Sequence, residues 1–194
     1  RDRRYARAYA GMADSYALLG VYGALPTIEA FPKAKAAASA ALNIDETIGE
    51  AHTTLAFVKT LYDWDWAGGE AEFKRAIELS PSYSTAHHWY AINLMSTGRV
   101  RDSIAEVERA QALDPLSPII STDVGEMFYW AGDYERAIAQ ARQTLEIHPH
   151  YYLAHGLLGW AYAHKGDFGQ ALAAFRQVPA GMDDHGTRVG IGYV

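Results

Sequence analysis

The sequence predicts an all-α solenoid, a stack of antiparallel helix pairs, because several columns of residues recur at a fixed step of 34. A glycine column, a proline column and a small-residue column carry the prediction: Gly98, Gly132 and Gly166; Pro81, Pro115 and Pro149; Ser103, Ala137 and Ala171. A period between about 20 and 50 residues indicates stacked supersecondary units. Each unit then buries its apolar face against its neighbours, so the chain needs no central core.

The period divides the chain into a single array of five units and the start of a sixth. The units are residues 6–48, 49–83, 84–117, 118–151 and 152–185, with a partial sixth at 186–194. The first unit exceeds the period by nine residues, and its surplus lies around residues 24–32. Proline lacks an amide donor and restricts the residue before it. Pro26 and Pro32 therefore predict a long loop there, with one short turn, between a first helix ending at Gly20 and a second helix reaching Asp45.

The second unit has one extra residue, which falls in the aromatic turn 62–66. Asp65 is a candidate N-cap for the helix that follows, because its carboxylate can accept from the free amides of the first turn. We expect Trp64 and Trp66 to fill the corner between the two helices, and the alternative is a role in stacking on a ligand.

Later units carry clearer boundary signals. Gly98, Gly132 and Gly166 stand where a positive φ is needed at the end of each first helix. Asp133 and Asp167 are expected to cap the next helices, and Ser117 before Pro118 is a typical helix start. Pro179 predicts an early end to the second helix of the fifth unit. Without a polar cap after it, we expect the C-terminal end to be frayed or covered by a neighbour, which allows a homo-oligomer.

The fifth unit contains a recognisable pattern of residues: Leu158-Gly159, then Tyr162, Gly166, Ala171 and Phe175. This pattern resembles the tetratricopeptide repeat, whose period is about 34 residues. The resemblance implies a right-handed superhelix whose first helices line a concave groove, and it implies a protein or peptide partner. The alanine-rich style further resembles the repeat regions of bacterial multidomain regulators, so we expect the chain to belong to a larger regulatory polypeptide.

The groove side of each first helix follows from helical spacing, since residues three and four apart share a face. It gives the predicted peptide-binding residues Phe57, His88, Trp89, Ile92, Asp123, Glu126, Tyr129, Trp130, Trp160 and His164. Exposed aromatic side chains are frequent binding anchors. They favour an apolar or proline-rich peptide with a basic residue opposite Asp123 and Glu126. The alternative is that Trp89, Trp130 and Trp160 pack between adjacent helices.

Composition and motifs exclude other functions. A net charge of -6 and no basic stripe argue against nucleic acid. We expect no membrane span and no signal peptide. The chain has no cysteine, which leaves the compartment open, with the cytoplasm favoured. The histidines are not clustered as metal ligands, and no phosphate loop or activated nucleophile is present, so no metal, cofactor or catalytic residue is predicted.

Three functional alternatives can be compared with peptide binding. A chaperone-type carboxylate clamp is excluded because the groove places where clamp members present lysines, an arginine and asparagines hold other residues, namely Ala10, Asp14, Thr54, Thr85 and Trp89. An oligomerisation scaffold acting through the solenoid ends remains open. So does a non-catalytic arm of a glycosyltransferase.

Overall fold

The computed structural model describes residues 3–179, and these residues form helices and turns without strands. The chain divides into two compact units, Arg1–Leu113 and Asp114–Val194. The predicted repeat boundaries remain predictions, and the partial sixth repeat at 186–194 lies outside the described residues.

Unit 1 contains three helix pairs. The helices are α1 (Arg3–Val21), α2 (Thr27–Ile44), α3 (Gly49–Leu61), α4 (Trp66–Leu79), α5 (Ser84–Ser96) and α6 (Val100–Leu113). Each odd-numbered helix packs on the next even-numbered helix, and first helices also contact each other, α1 with α3 and α3 with α5. The main apolar cluster joins the pairs through Phe31, Phe57, Phe73, Trp89 and Tyr90.

The part of unit 2 that the structure describes, up to residue 179, contains two helix pairs. They are α7 (Pro118–Trp130) with α8 (Tyr134–Ile147), and α9 (Tyr152–His164) with α10 (Phe168–Phe175). The second helix α8 packs on α9, and the two first helices α7 and α9 are in contact. Gly159 of α9 makes one close approach possible, because a Cβ at this position would lie 2.3 Å from a ring carbon of the buried Phe175.

The predicted turn chemistry is confirmed. Gly98, Gly132 and Gly166 have φ of 78°, 80° and 79°. Asp65, Asp133 and Asp167 each accept a hydrogen bond from a first-turn amide, and Ser117 accepts one from Ile120. The small column is also confirmed: Ser103, Ala137 and Ala171 are fully buried between helices.

The long loop predicted around residues 24–32 is wrong. Helix α2 begins at Thr27, directly after Pro26, and continues through Pro32. The ring of Pro32 is exposed, so the carbonyl group of Ile28, which loses its helical partner, lies on the side of the helix that water can reach. The end at Asp45 is confirmed. Helix α1 passes Gly20 by one residue, and the left-handed residue of this loop is Gly23, with φ of 68°.

The corner-filling role expected for Trp64 and Trp66 is also wrong. Their side chains are 73% and 41% exposed. Tyr62 takes the inner place, where its ring lies 5.5 Å from that of Phe31. The extra residue in this turn is confirmed, because the amide of Asp65 bonds to the carbonyl of Lys59 six positions back, whereas Asp133 and Asp167 reach back five.

The last described helix ends early, as predicted, although it stops at Phe175 before Pro179 is reached. Between residues 3 and 179, no helix is both long enough and apolar enough to cross a membrane.

Candidate functional site

The predicted groove residues of unit 1 lie mainly in its interior. Phe57 of α3 and Trp89 of α5 are 3% and 6% exposed, and their rings stack with centroids 4.1 Å apart. Ile92 packs against the same cluster, and His88 is buried. For Trp89 this burial favours the packing alternative that the sequence left open, because a buried indole offers little surface to a ligand.

The two predicted acids of unit 2 lie one helical turn apart on α7 and differ in exposure. Asp123 is buried and Glu126 is half-buried. Both already take part in interactions within the chain. A basic residue of a partner would therefore have to compete for them, which weakens their case as primary contacts.

The other predicted residues of unit 2 come together at the ends of α7 and α9. Tyr129 is the centre of this group, with ring centroids 5.1 Å from Trp130, 5.7 Å from Tyr134 and 5.3 Å from His164. We call Tyr129, Trp130, Tyr134 and His164 the Tyr129 cluster. Trp160 lies beside it, with its ring centroid 6.3 Å from that of His164 and 5.5 Å from that of Phe175.

Local structure holds the Tyr129 cluster in place. The left-handed Gly132 ends the first helix and lets the chain turn, so that Tyr134 follows the N-cap Asp133. The Nδ1 atom of His164 lies 3.3 Å from the Tyr129 hydroxyl oxygen and 3.1 Å from the Trp160 carbonyl oxygen. These contacts fix the rings, while the Trp130 side chain remains 65% exposed.

A surface cavity of about 420 Å³ adjoins the cluster. Its lining consists of Ala131, Gly132, Asp133, Tyr134, Glu135 and Lys165. Its charged residues are paired, since Lys165 bonds to Glu135 and Asp133 accepts from Arg136 at 2.6 Å. The hydrogen bonds from Arg136 hold the pKa of Asp133 below its usual value. The cluster is therefore an aromatic surface with neutralised charges at its edge.

Tyr134 was missed from the predicted site. The signal was available, because Tyr134 and Phe168 are 34 residues apart and both directly follow an N-cap aspartate. The predicted groove contains residues of first helices only. Tyr134 begins a second helix and reaches the cluster across the turn.

An acidic group occupies the carboxylate-clamp places of unit 1. The carboxyl group of Asp14 accepts from the Thr54 hydroxyl and, at 3.3 Å, from that of Tyr83. Burial raises the pKa of Asp14, and the nearby Glu50 adds to this effect. An acid at one of these places is suited to repel a terminal carboxylate.

Two histidines of unit 1 have structural partners. His87 is 1% exposed, with Nδ1 2.6 Å from Glu106 and Nε2 3.1 Å from the carbonyl oxygen of Pro81. His52 repeats this arrangement with Glu72 at 2.6 Å and the carbonyl of Glu46 at 3.0 Å. Over residues 3–179, no three histidine or acidic side chains are grouped so as to hold a metal ion.

Comparison with known proteins places the repeat pattern in a family. Residues 131–190 match the tetratricopeptide repeat family model. No curated protein matches the sequence.

Solved structures match over most of the chain. TTC0263, a thermophilic TPR protein of Thermus thermophilus, is 17% identical with a TM-score of 0.73, covering 93% of this chain and 97% of that one. PilW, a type IV pilus biogenesis factor, is 20% identical with a TM-score of 0.72 over 87% and 76%. YrrB, a TPR protein with an unusual peptide-binding site, is 16% identical with a TM-score of 0.64 over 91% and 90%. At these identities the similarity shows the fold alone.

The helix pairs, the residue columns and these structural matches define an all-α helical-repeat protein, as the sequence predicts. The tetratricopeptide repeat match over residues 131–190 and the similarity to solved TPR proteins support a tetratricopeptide type of repeat. Repeats of this family are generally non-catalytic and act as protein-interaction modules, through the extended surfaces that stacked repeats create. The resemblance to bacterial multidomain regulators remains a prediction.

Proposed function

We propose that the chain is the protein-interaction part of a larger regulatory polypeptide and that unit 2 binds a partner peptide through the Tyr129 cluster. One observation carries the proposal: Trp130 is 65% exposed while the rings around it are held in place. A large exposed aromatic side chain on a rigid support loses little conformational entropy on binding.

The chemistry of the cluster favours an apolar or proline-rich peptide. Tyr129 and Trp130 meet edge to face at 76°, so the two ring faces bound a corner into which a proline ring or an aliphatic side chain can fit. Aromatic-lined surfaces are the usual partners of proline-rich segments, which are already extended before binding. The adjoining cavity is lined partly by Gly132 and Tyr134 and gives room for the next peptide residue.

Within this proposal, the predicted residues of unit 1 support the fold. The stacked rings of Phe57 and Trp89 join α3 to α5 and thereby fix two neighbouring first helices. His88 and Ile92 belong to the same region, whereas Trp160 and His164 support the cluster in unit 2. Asp123 and Glu126 stay candidates for a basic residue of the peptide.

The proposal is tested by tryptophan fluorescence of the full chain, titrated with a panel of short peptides that differ in proline, aliphatic and basic content. We expect at least one proline-rich or aliphatic peptide to quench the signal. The Trp130→Ala variant should bind that peptide roughly 30-fold more weakly, which is the loss typical of an interface hot spot. The melting temperature should change little, because the side chain is mostly exposed.

The control is Ile147→Ala in the same unit, which removes another exposed apolar side chain, 53% exposed, away from the cluster. It should bind as the unaltered chain does. The proposal fails if no peptide binds the unaltered chain, or if the Trp130 and Ile147 variants bind equally well.

Self-assembly through the solenoid ends and a glycosyltransferase arm remain the alternative functions. Self-assembly predicts a mass that rises with protein concentration in sedimentation experiments, without any peptide-dependent quenching. A glycosyltransferase arm predicts a catalytic domain in the flanking coding sequence.

A further inference from the structure

The turn between α3 and α4 differs from the other turns that join a first helix to its second helix. Gly132 and Gly166 directly precede the N-caps Asp133 and Asp167 and have left-handed backbones. Trp64 directly precedes the N-cap Asp65, and its φ of 59° is also left-handed. A tryptophan therefore stands at the position where these turns have glycine.

This placement is unfavourable for folding. A side chain at a left-handed residue crowds the following carbonyl oxygen, a cost that glycine avoids. Packing does not compensate, because the Trp64 side chain is 73% exposed. Strained residues of this kind are concentrated at functional sites, where the strain is kept because the side chain is needed.

Trp64 and Trp66 form a pair of exposed aromatic walls. Their ring centroids are 6.2 Å apart and their planes meet at 62°. The backbone beneath them is fixed on both sides. The carboxylate of Asp65 accepts from the amide of Gly68 at 2.9 Å, and the carbonyl of Trp66 accepts from the buried Asn93 at 3.2 Å. The backbone that carries the pair is thus held in place before any partner arrives.

The charges near Trp64 and Trp66 favour a cationic ligand. Residues 49–79 contain six carboxylates and three basic side chains. The basic side chains are engaged elsewhere: Lys59 with Glu72, Lys74 with Glu70 and Arg75 with Glu78. Asp63 is paired with Lys35 at 2.5 Å. Across residues 3–179, Asp65 has no basic partner and no cation lies over either indole.

We propose that Trp64, Asp65 and Trp66 form a second interaction site, which we call the Trp64 site, and that it takes an arginine side chain of a partner polypeptide. The planar guanidinium group can stack on an indole while its N–H groups donate to a carboxylate, whereas the ammonium group of lysine offers no flat face. A membrane is the less suitable partner, because anionic lipid headgroups would meet the acidic side chains around the indoles.

The experiment uses the full chain labelled with 15N in its five tryptophan side chains. The probe is a glycine-serine peptide with three spaced arginines, and matched peptides carry lysine or citrulline. We expect the indole signals of Trp64 and Trp66 to shift with the arginine peptide, more weakly with lysine and not with citrulline. Trp130 lies in the Tyr129 cluster, so a shift of its signal alone would overturn the proposal.

Two variants separate binding from folding. Trp64→Gly should raise the melting temperature by about 2–4 °C, because the strain is removed, and should bind the arginine peptide at least about tenfold more weakly. Asp65→Asn keeps an N-cap side chain and loses only the charge, so it should keep the melting temperature and weaken arginine binding.

The control is Trp130→Ala, which should bind the arginine peptide normally even if it abolishes binding at the Tyr129 cluster. Equal binding by the unaltered chain and Trp64→Gly would overturn the proposal. So would equal shifts with the arginine and lysine peptides, or shifts of Trp64 and Trp66 produced by anionic vesicles and not by the arginine peptide.

Discussion

Buried polar side chains in this protein have identifiable partners. Ser103 donates to the carbonyl of Ala91 at 2.8 Å, and both are fully buried. The buried His87 relies in the same way on Glu106 and on the carbonyl of Pro81. Removing such a partner gives a clear prediction.

Glu106→Ala should destabilise unit 1. It leaves a ring nitrogen of the 1% exposed His87 without its carboxylate partner, and a buried unsatisfied polar group costs about 1–3 kcal/mol. Urea unfolding followed by circular dichroism measures this loss. Glu108→Ala, an exposed acid on the same helix, should change the free energy of unfolding by less than about 0.5 kcal/mol. Equal effects of the two substitutions would contradict the role given to Glu106.

Two glycines of α9 should respond to alanine in opposite directions. A Cβ at Gly159 would lie 2.3 Å from the buried ring of Phe175, whereas a Cβ at Gly156 would meet nothing within 4 Å. Gly159→Ala should therefore cost about 1–3 kcal/mol through overpacking. Gly156→Ala should stabilise by about 0.5–1 kcal/mol, because alanine is the better helix former. Thermal unfolding of the two variants measures both changes in stability. Changes of the same sign would contradict the packing of α9 on α10.

Sequence reasoning was most successful where one residue type is needed for one backbone conformation. The left-handed glycines and the N-cap aspartates are of this kind. It failed where the outcome depends on which way a side chain points. Pro32 predicts a break in the helix, although on the exposed side of α2 it is tolerated, and the sequence predicts inward-pointing indoles at Trp64 and Trp66, which are exposed.

At the scale of helices, Glu70 connects α4 with its neighbours in unit 1. Its carboxylate accepts from Arg99 at 2.6 Å, directly before α6, and from the Tyr90 hydroxyl of α5 at 3.0 Å. Lys74, one turn along α4, lies 2.8 Å away. The hydrogen bonds from Lys74 and Arg99 lower the pKa of Glu70 to about 2.

This lowered pKa predicts a loss of stability in acid. The folded value of about 2 lies below the ordinary value of 4.5, so the contribution is fully present above pH 4.5 and disappears as the pH falls towards 2. Glu70→Gln should lower the melting temperature at neutral pH and flatten its decline between these limits. Circular dichroism melts of both proteins between pH 2 and 4.5 measure this pH dependence of the melting temperature. Because the group is partly exposed, the effect should shrink in high salt, and an unchanged slope in the Gln variant would contradict it.

The packing of neighbouring helices explains why only part of the predicted groove is exposed. Spacing along a first helix assigns residues to a face, but it does not tell which part of that face a neighbouring helix covers. In unit 1 the rings of Phe57 and Trp89 cover each other, and in unit 2 Trp130 stays open. Tyr134 reached the cluster from a second helix, which a search restricted to first helices could not show.

At the scale of the whole molecule, the two proposed sites lie in different units. The Trp64 site belongs to unit 1 and the Tyr129 cluster to unit 2. Substitution at one site should therefore leave ligand binding at the other unchanged, because each site is built from residues of its own unit and sites without shared partners act independently. Titrations of Trp64→Gly and Trp130→Ala with both kinds of peptide measure this. A loss of both activities in either variant would show that the sites are coupled.

The contact between His87 and Glu106 has a counterpart one repeat later, which is made by different residue types. Ser121 and Gln140 stand 34 residues after His87 and Glu106, and they meet at 3.0 Å, with Thr144 joining Ser121 at 2.8 Å. None of these three side chains gains or loses a proton in ordinary buffers. The step of 34 residues therefore keeps a polar contact between the two helices of a pair while its chemistry changes, from an imidazole with a carboxylate in α5–α6 to neutral hydroxyl and amide groups in α7–α8.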